Sequence, residues 1–258
     1  MNPPESFSSS YLAELIAARL SELLQKPGVQ IPDEASRHEI IHSVASAVAA
    51  ALCEEEEKAA IVKICRRLHH MGYFAGTSGN VSVRLPGGDI LVTPSGVNKS
   101  SLASSDIVRL SPGGAVCEGT GKPSSETRMH LFSYERRPDV HAIVHAHPPF
   151  ATGFAAARVA LDRPVLPEAI LILGSIPLVE YGTPSTWELP ESLAPYVANH
   201  NAFLLANHGA LTFGDDVHQA SHRMETLELF ANVILVARLL GGEKLLSAGE
   251  LERLARIR

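Results

Sequence analysis

Ala142-Ile-Val-His-Ala-His147 is the stretch on which the fold turns. Its β-branched residues lead into two histidines two positions apart, and Pro148 follows. In an extended strand His145 and His147 point to one face while Ala146 turns to the other. Upstream stands Lys122-Pro-Ser-Ser-Glu126, a serine pair and a carboxylate at the start of a helical stretch. Downstream stands Asn207-His208-Gly209. An isolated pair of histidines so spaced is more often two hydrogen-bonded residues than two ligands. A third histidine and a carboxylate reverse those odds. Three imidazoles can hold a metal with one coordination position open, and a carboxylate beside them can move protons. Imidazoles suit zinc and also admit manganese, cobalt or iron.

Working outward from this strand, Glu126 to Arg137 reads as a helix capped by Ser124 or Ser125. Val81 to Leu85 and Asp89 to Thr93 read as strands joined by Pro86-Gly-Gly88. Ile107 to Leu110 and Ala115 to Cys117 flank a second turn, at Ser111-Pro-Gly-Gly114. Strands are also expected at Leu178 to Tyr181, Ala202 to Ala206 and Leu211 to Gly214. Helices are expected from Pro148 onward and from Asp216 to Leu240. Tight strand-to-strand turns favour a mixed or antiparallel sheet over a doubly wound parallel one. The N-terminal side is helical throughout. A leucine stripe runs from Tyr11 to Gln25, and Lys26-Pro-Gly28 and Gln30-Ile-Pro-Asp33 break the chain. A second helix is expected from Glu34 to Leu52, and a third from Glu54 to Met71 with its acidic run at the N-terminal end of the dipole.

Composition narrows the class. The chain has 258 residues, an apolar fraction of 45% and a net charge of −6. That is enough for a sizeable core and argues against disorder and against nucleic acid as the main partner. Three scattered cysteines form no zinc or redox motif, which points to a reducing compartment. No apolar run approaches the roughly 18 residues of a membrane span, and the N-terminus lacks the pattern of a secretory signal, so a cytoplasmic location is expected.

Two further polar loops, Gly76-Thr-Ser-Gly-Asn80 and Thr93-Pro-Ser-Gly96, precede the histidines. With the backbone N–H groups and hydroxyls of Ser124 and Ser125 at a helix N-terminus, they suggest a phosphate cradle of neutral donors. A nucleotide site is not supported. Gly121-Lys122 is followed by Pro123, position 116 is Val, and no Gly-x-Gly-x-x-Gly spacing occurs near Gly76.

In these stretches, with Arg137-Pro-Asp-Val-His-Ala-Ile-Val-His-Ala-His-Pro148, the chain resembles the class II aldolase/adducin family, and within it the L-fuculose-phosphate aldolases. The resemblance covers about residues 54–240. It implies a three-layer α/β/α sandwich and a ring-shaped homotetramer with active sites between subunits. It implies zinc, one ion per subunit, on His145, His147 and His208. It implies a phosphate held by Gly79, Asn80, Ser95, Gly96, Ser124 and Ser125, and Glu126 as proton carrier. The activity implied is reversible cleavage of a ketose 1-phosphate to dihydroxyacetone phosphate and a short aldehyde. A dehydratase, decarboxylase or epimerase of the same family, or a non-catalytic adducin-like scaffold, are the alternatives. Family epimerases carry Asp where Glu126 stands, and adducin-type heads lack the metal histidines.

Two departures accompany the resemblance. Fuculose-phosphate aldolases use a tyrosine where this chain has Glu168, and their second, C-terminal tyrosine has no counterpart here. Glu168 or Tyr181 is therefore the candidate for protonating the aldehyde oxygen. The second departure is length. Residues 1–53 precede the family-like domain of residues 54–258. Residues 1–33 resemble the encapsulation peptides of microcompartment cargo enzymes, which would make a shell protein a partner and a bacterial microcompartment the location. Otherwise the segment is a further helical layer or an oligomer contact.

Overall fold

The structure, a computed structural model, describes residues 9–24 and 33–256. The expected breaks at Lys26-Pro-Gly28 and Gln30-Ile-Pro32 lie outside the described residues, as does the expected end of the first helix at Gln25. By its contacts the chain divides into two compact units, Met1–Lys58 and Ala59–Arg258.

The first unit is helical. It comprises α1 (Ser9–Leu24) and the first part of α2 (Glu34–His70). Where two helices were expected after residue 33 there is one, of 37 residues. No Gly or Pro interrupts Glu34 to His70. The acidic run read as a helix start lies mid-helix, where Lys58 pairs with Glu54 at 2.8 Å and Glu55 at 3.1 Å. These i,i+4 and i,i+3 pairs stabilise the helix locally, and the absence of a breaking residue lets it run through the expected boundary.

The second unit is built on an eight-stranded sheet in the order β4-β3-β2-β1-β5-β8-β7-β6. The strands are β1 (Asn80–Arg84), β2 (Ile90–Val92), β3 (Val108–Leu110), β4 (Val116–Glu118), β5 (Ala142–Ala146), β6 (Leu178–Val179), β7 (Ala202–Leu205) and β8 (Gly209–Gly214). Every neighbouring pair is antiparallel except β6 with β7, so the sheet is mixed. The helices are α3 (Thr127–Arg136), α4 (Pro149–Ala156), α5 (Pro167–Leu173), α6 (Glu188–Leu193), α7 (Val217–Leu239) and α8 (Ala248–Ala255). The sequence did not foretell α5, α6 or α8. Helices α5 and α6, of seven and six residues, are too short for a 3.6-residue period to register, whereas α8 has a capping box, Ser247 with Glu250, that the sequence offered and the reading missed.

The sheet is covered on both faces, which makes three layers. On one face the end of α2 (Ile61, Ile64, Leu68), α4 (Phe154), α5 (Leu173) and α7 (Met224, Leu227, Ala231) pack on Val81, Val83, Val144, Leu204 and Ala210. On the other, α3 (Met129, Phe132) and α6 (Leu189, Leu193) pack on Ile143, Phe203, Leu205, Leu211 and Phe213. Strand β5 shows the alternation: Ala142, Val144 and Ala146 join the first cluster and Ile143 the second. Buried on both faces, β5 tolerates a polar residue only where it finds partners, and it carries one, His145.

Candidate active site

The ends of β1, β5 and β8 place the polar groups. Asn80 opens β1 directly across from His145, and His145 lies across from Leu211 of β8. His147 stands just past the end of β5, its N–H donating to Tyr73 O at 3.0 Å. His208 sits in the turn between β7 and β8. That turn needs a left-handed residue, supplied by Asn207 at φ 55°, whose side chain accepts from Arg158 Nε and donates to Ala156 O. A Cβ on Gly209 would collide with the His147 ring, so only glycine lets the turn close on it.

Glu126, not Ser124 or Ser125 as expected, holds the N-cap position of α3, and its side chain makes no capping bond but reaches into this group. Its Oε2 lies 3.1 Å from His145 Nε2 and accepts from Asn80 Nδ2 at 2.8 Å, and its Oε1 lies 3.0 Å from His208 Nε2. The ligand nitrogens of His145, His147 and His208 all fall within 4.8 Å of one another. Burial pushes the Glu126 carboxyl up, but the His145 and His208 imidazoles more than reverse this and hold it well below the carboxylate range. Burial, with His145 and His208 nearby, holds His147 down to about 3, so it is a neutral imidazole with a lone pair to offer. For His145 burial acts downward, and the Glu126 carboxylate overcomes it to raise the imidazole.

These residues fit a divalent cation. The His145 Nδ1–H donates to Ala210 O at 2.9 Å, which in a neutral ring leaves Nε2 as a bare lone pair. That nitrogen faces His147 Nε2 at 3.2 Å and the Glu126 carboxylate. Lone pairs and a negative charge so converged attract positive charge, and a three-imidazole donor set suits zinc among the divalent metals.

The three polar loops meet beside the imidazoles. Val81 N–H donates to Thr93 Oγ1 at 3.2 Å and Thr93 N–H to Val81 O at 3.0 Å, joining the first loop to the second. Ser95 N–H donates to Lys122 O at 2.8 Å and Ser124 N–H to Thr93 O at 3.3 Å, joining the second to the third. Gly79, at φ +72°, approaches the backbone carbonyl of His145, and a Cβ there would strike the Phe74 ring. The result is a pocket of about 310 Å³.

Gly79, Asn80, Ser95, Gly96, Ser124, Ser125, Glu126, His147 and His208 all line this pocket, and fully buried His145 stands behind them. Glu168 and Tyr181 are not among its lining residues. Glu168 is exposed near the start of α5, and Tyr181 is exposed just past β6. Lys99 also lines the pocket and was not foreseen. It is the only basic residue between Arg84 and Arg109, a weak signal that says nothing of burial. His130, behind the site on α3, was missed too. It is fully buried, and its Nδ1 lies 2.6 Å from Ser82 Oγ.

Comparison with known proteins gives a consistent set. The family model described as Class II Aldolase and Adducin N-terminal domain matches residues 59–235. The chain is 33% identical over 208 residues to a 3-oxo-tetronate 4-phosphate decarboxylase of Escherichia coli, covering 78% of this chain and 96% of that protein. It is 35% identical over 172 residues to an L-fuculose phosphate aldolase of Methanococcus maripaludis, covering 67% and 92%. Among solved structures, YgbL of Escherichia coli superposes with a TM-score of 0.73 at 32% identity, over 78% of this chain and 99% of that one.

Proposed function

The chain belongs to the class II aldolase and adducin family, and on that premise we propose that it is a zinc-dependent lyase cleaving a carbon–carbon bond beside the ketone of a phosphorylated substrate. One observation carries this: a single pocket lined by His147, His208 and the buried Glu126 carboxylate, with His145 directly behind them, continues into a cradle lined by Gly79, Gly96 and the hydroxyl-bearing Ser95, Ser124 and Ser125. A divalent metal on His145, His147 and His208 would supply a Lewis acid for the substrate's ketone and hydroxyl oxygens. The serines and the 76–80 and 93–96 loops bind the phosphate and fix the distance from it to the reacting carbon. Glu126, ionised at rest, takes a proton and delivers it to the carbon that loses its bond.

Two leaving groups fit this chemistry, because both leave the enediolate of dihydroxyacetone phosphate. A 3-oxo four-carbon acid 4-phosphate loses carbon dioxide, and a ketose 1-phosphate loses an aldehyde. Loss of carbon dioxide requires one proton transfer, to carbon. Aldol cleavage requires a second group at the departing oxygen. Among the described residues Glu126 is the only carboxylate lining the pocket, and neither Glu168 nor Tyr181 lines it, which favours decarboxylation. The aldolase relative supports the second reading, in which exposed Glu168 would serve the site of a neighbouring copy. Incubation with 3-oxo-tetronate 4-phosphate and separately with L-fuculose 1-phosphate decides between them. Carbon dioxide from the first alone is expected, aldehyde from the second alone would replace decarboxylation with aldol cleavage, and a water-loss product would overturn both.

Assembly completes the reading. A homotetramer with sites between subunits is supported by the exposed Leu229, Val236, Leu239 and Leu240 along and just beyond α7. Residues 1–33 are proposed as a docking segment for a microcompartment shell protein, supported by the exposed Leu15 and Leu23 of α1. Deleting residues 1–33 should leave oligomer, metal and turnover unchanged and abolish only shell binding. A broken oligomer would make the segment part of the enzyme's own assembly.

A further inference from the structure

Lys99 is among the largest fully buried side chains, at 1% exposure, yet it lines the pocket. Among the described residues it is the only lysine or arginine that does. Its Nζ donates to Val97 O at 3.0 Å and to Thr77 O at 3.3 Å, so it ties the second polar loop to the first. An ammonium has three donors, which leaves one for an occupant of the pocket. The pocket's carboxylate, Glu126, makes its contacts with Asn80, His145 and His208, and among the described residues no ion pair joins it to Lys99. Burial lowers the Lys99 pKa, opposed by the Cys65 thiol. A buried cation whose partners are two neutral carbonyls is unfavourable until an anion joins it.

We propose that Lys99 is the charged member of the cradle: its remaining N–H meets an oxygen of a phosphomonoester dianion, while its two carbonyl bonds hold the 76–80 and 93–97 loops around that group. This deepens the phosphate half of the function proposed above and rests on it. The neutral donors shape the cradle, and Lys99 supplies charge from a position shielded from water, where a charge-assisted hydrogen bond is strongest. The site thereby prefers a doubly charged phosphate ester to a singly charged carboxylate of similar size.

The test is calorimetric titration of the metal-loaded, full-length protein with inorganic phosphate. Lys99→Met removes the charge, and Lys99→Gln removes it while keeping an N–H donor. Both should weaken phosphate binding by about 10- to 100-fold, and should raise KM for the phosphorylated substrate more than they lower kcat. If Lys99→Gln binds phosphate within about threefold of the parent, the residue only ties loops and the proposal fails. Should neither variant fold, a crystal of the parent protein soaked in phosphate decides. A phosphate oxygen within about 2.7–3.2 Å of Lys99 Nζ is expected. Phosphate in the cradle beyond that reach, or no phosphate binding by the parent at all, overturns it. The titration needs no turnover, so phosphate binding through Lys99 without cleavage of either substrate would sink the lyase reading and leave this one standing.

Discussion

At one end of the pocket Glu126 lies 3.1 Å from His145 and 3.0 Å from His208, and His145 lies 3.2 Å from His147. At the other end Gly79, Ser95, Gly96, Ser124 and Ser125 contribute backbone groups and short side chains from loops. The first end is fixed by β5, by the α3 start and by a glycine-closed turn. The second is fixed by backbone bonds between loops, with one lysine beneath them. The two ends should therefore fail differently. Damage at the imidazole end removes chemistry, because charge there is organised by side chains that have no substitute. Damage at the loop end removes affinity in increments, because many donors share one anion.

The largest effect should come from His208→Ala. Three ligands are the minimum that fixes a site with an open position, so this variant should lose its metal and fall to background turnover. Metal analysis at full occupancy in the variant would remove His208 from the ligand set. Next is Glu126→Gln, which leaves the three imidazoles in place. It should keep the metal while turnover drops by about 10²–10⁴-fold. Near-normal turnover would reduce Glu126 to a helix-end residue that happens to lie near histidines. Smaller again is Ser124→Ala at the other end. Losing one hydrogen bond to a charged group should raise KM by about 10- to 100-fold, with kcat changing less. If instead kcat fell while KM held, the division of labour between the two ends would be wrong.

How much of this was legible in the sequence follows the same division. The imidazole end was readable because strand geometry puts positions 145 and 147 on one face, and because His208 stands beside a glycine at the end of an expected strand. The loop end was readable as a set of donor-rich turns, though the backbone bonds that join them, such as Ser95 to Lys122, are not encoded in any local pattern. Lys99 was invisible for a physical reason: sequence assigns lysines to the surface, and its burial is decided by loops contributed from elsewhere. Helix α2 was split in two because Glu54 to Glu57 looks like a first turn, although no Gly or Pro between Glu34 and His70 breaks the chain there. Strand β6 kept two of the four residues expected for it, since its extent depends on pairing with β7 alone.

The smallest predicted effect concerns pH and sharpens the contrast from behind the imidazole end. His130 is fully buried, with Nδ1 on Ser82 Oγ and Nε2 unpartnered. Burial, reinforced by His145 and opposed by Glu126, holds it down to about 3, against 6.5 for a free imidazole. Its neutral form is therefore the folded form, and between those values the unfolded chain binds the extra proton. Stability tied to His130 is intact above about pH 6.5 and is lost progressively as pH falls toward 3. The slope is up to about 1.4 kcal/mol per pH unit for this one group. Urea unfolding of the metal-stripped protein at pH 6.5, 5.5 and 4.5 should show that slope, added to the one from His147, which is held down similarly. In His130→Gln the His147 share should persist and the His130 share vanish, giving a flatter profile. Parallel profiles for the two proteins would mean that His130 takes up its proton without unfolding. The neutral donors of the loop end have nothing comparable to titrate, so Ser124→Ala should leave the parent's pH profile unchanged in slope.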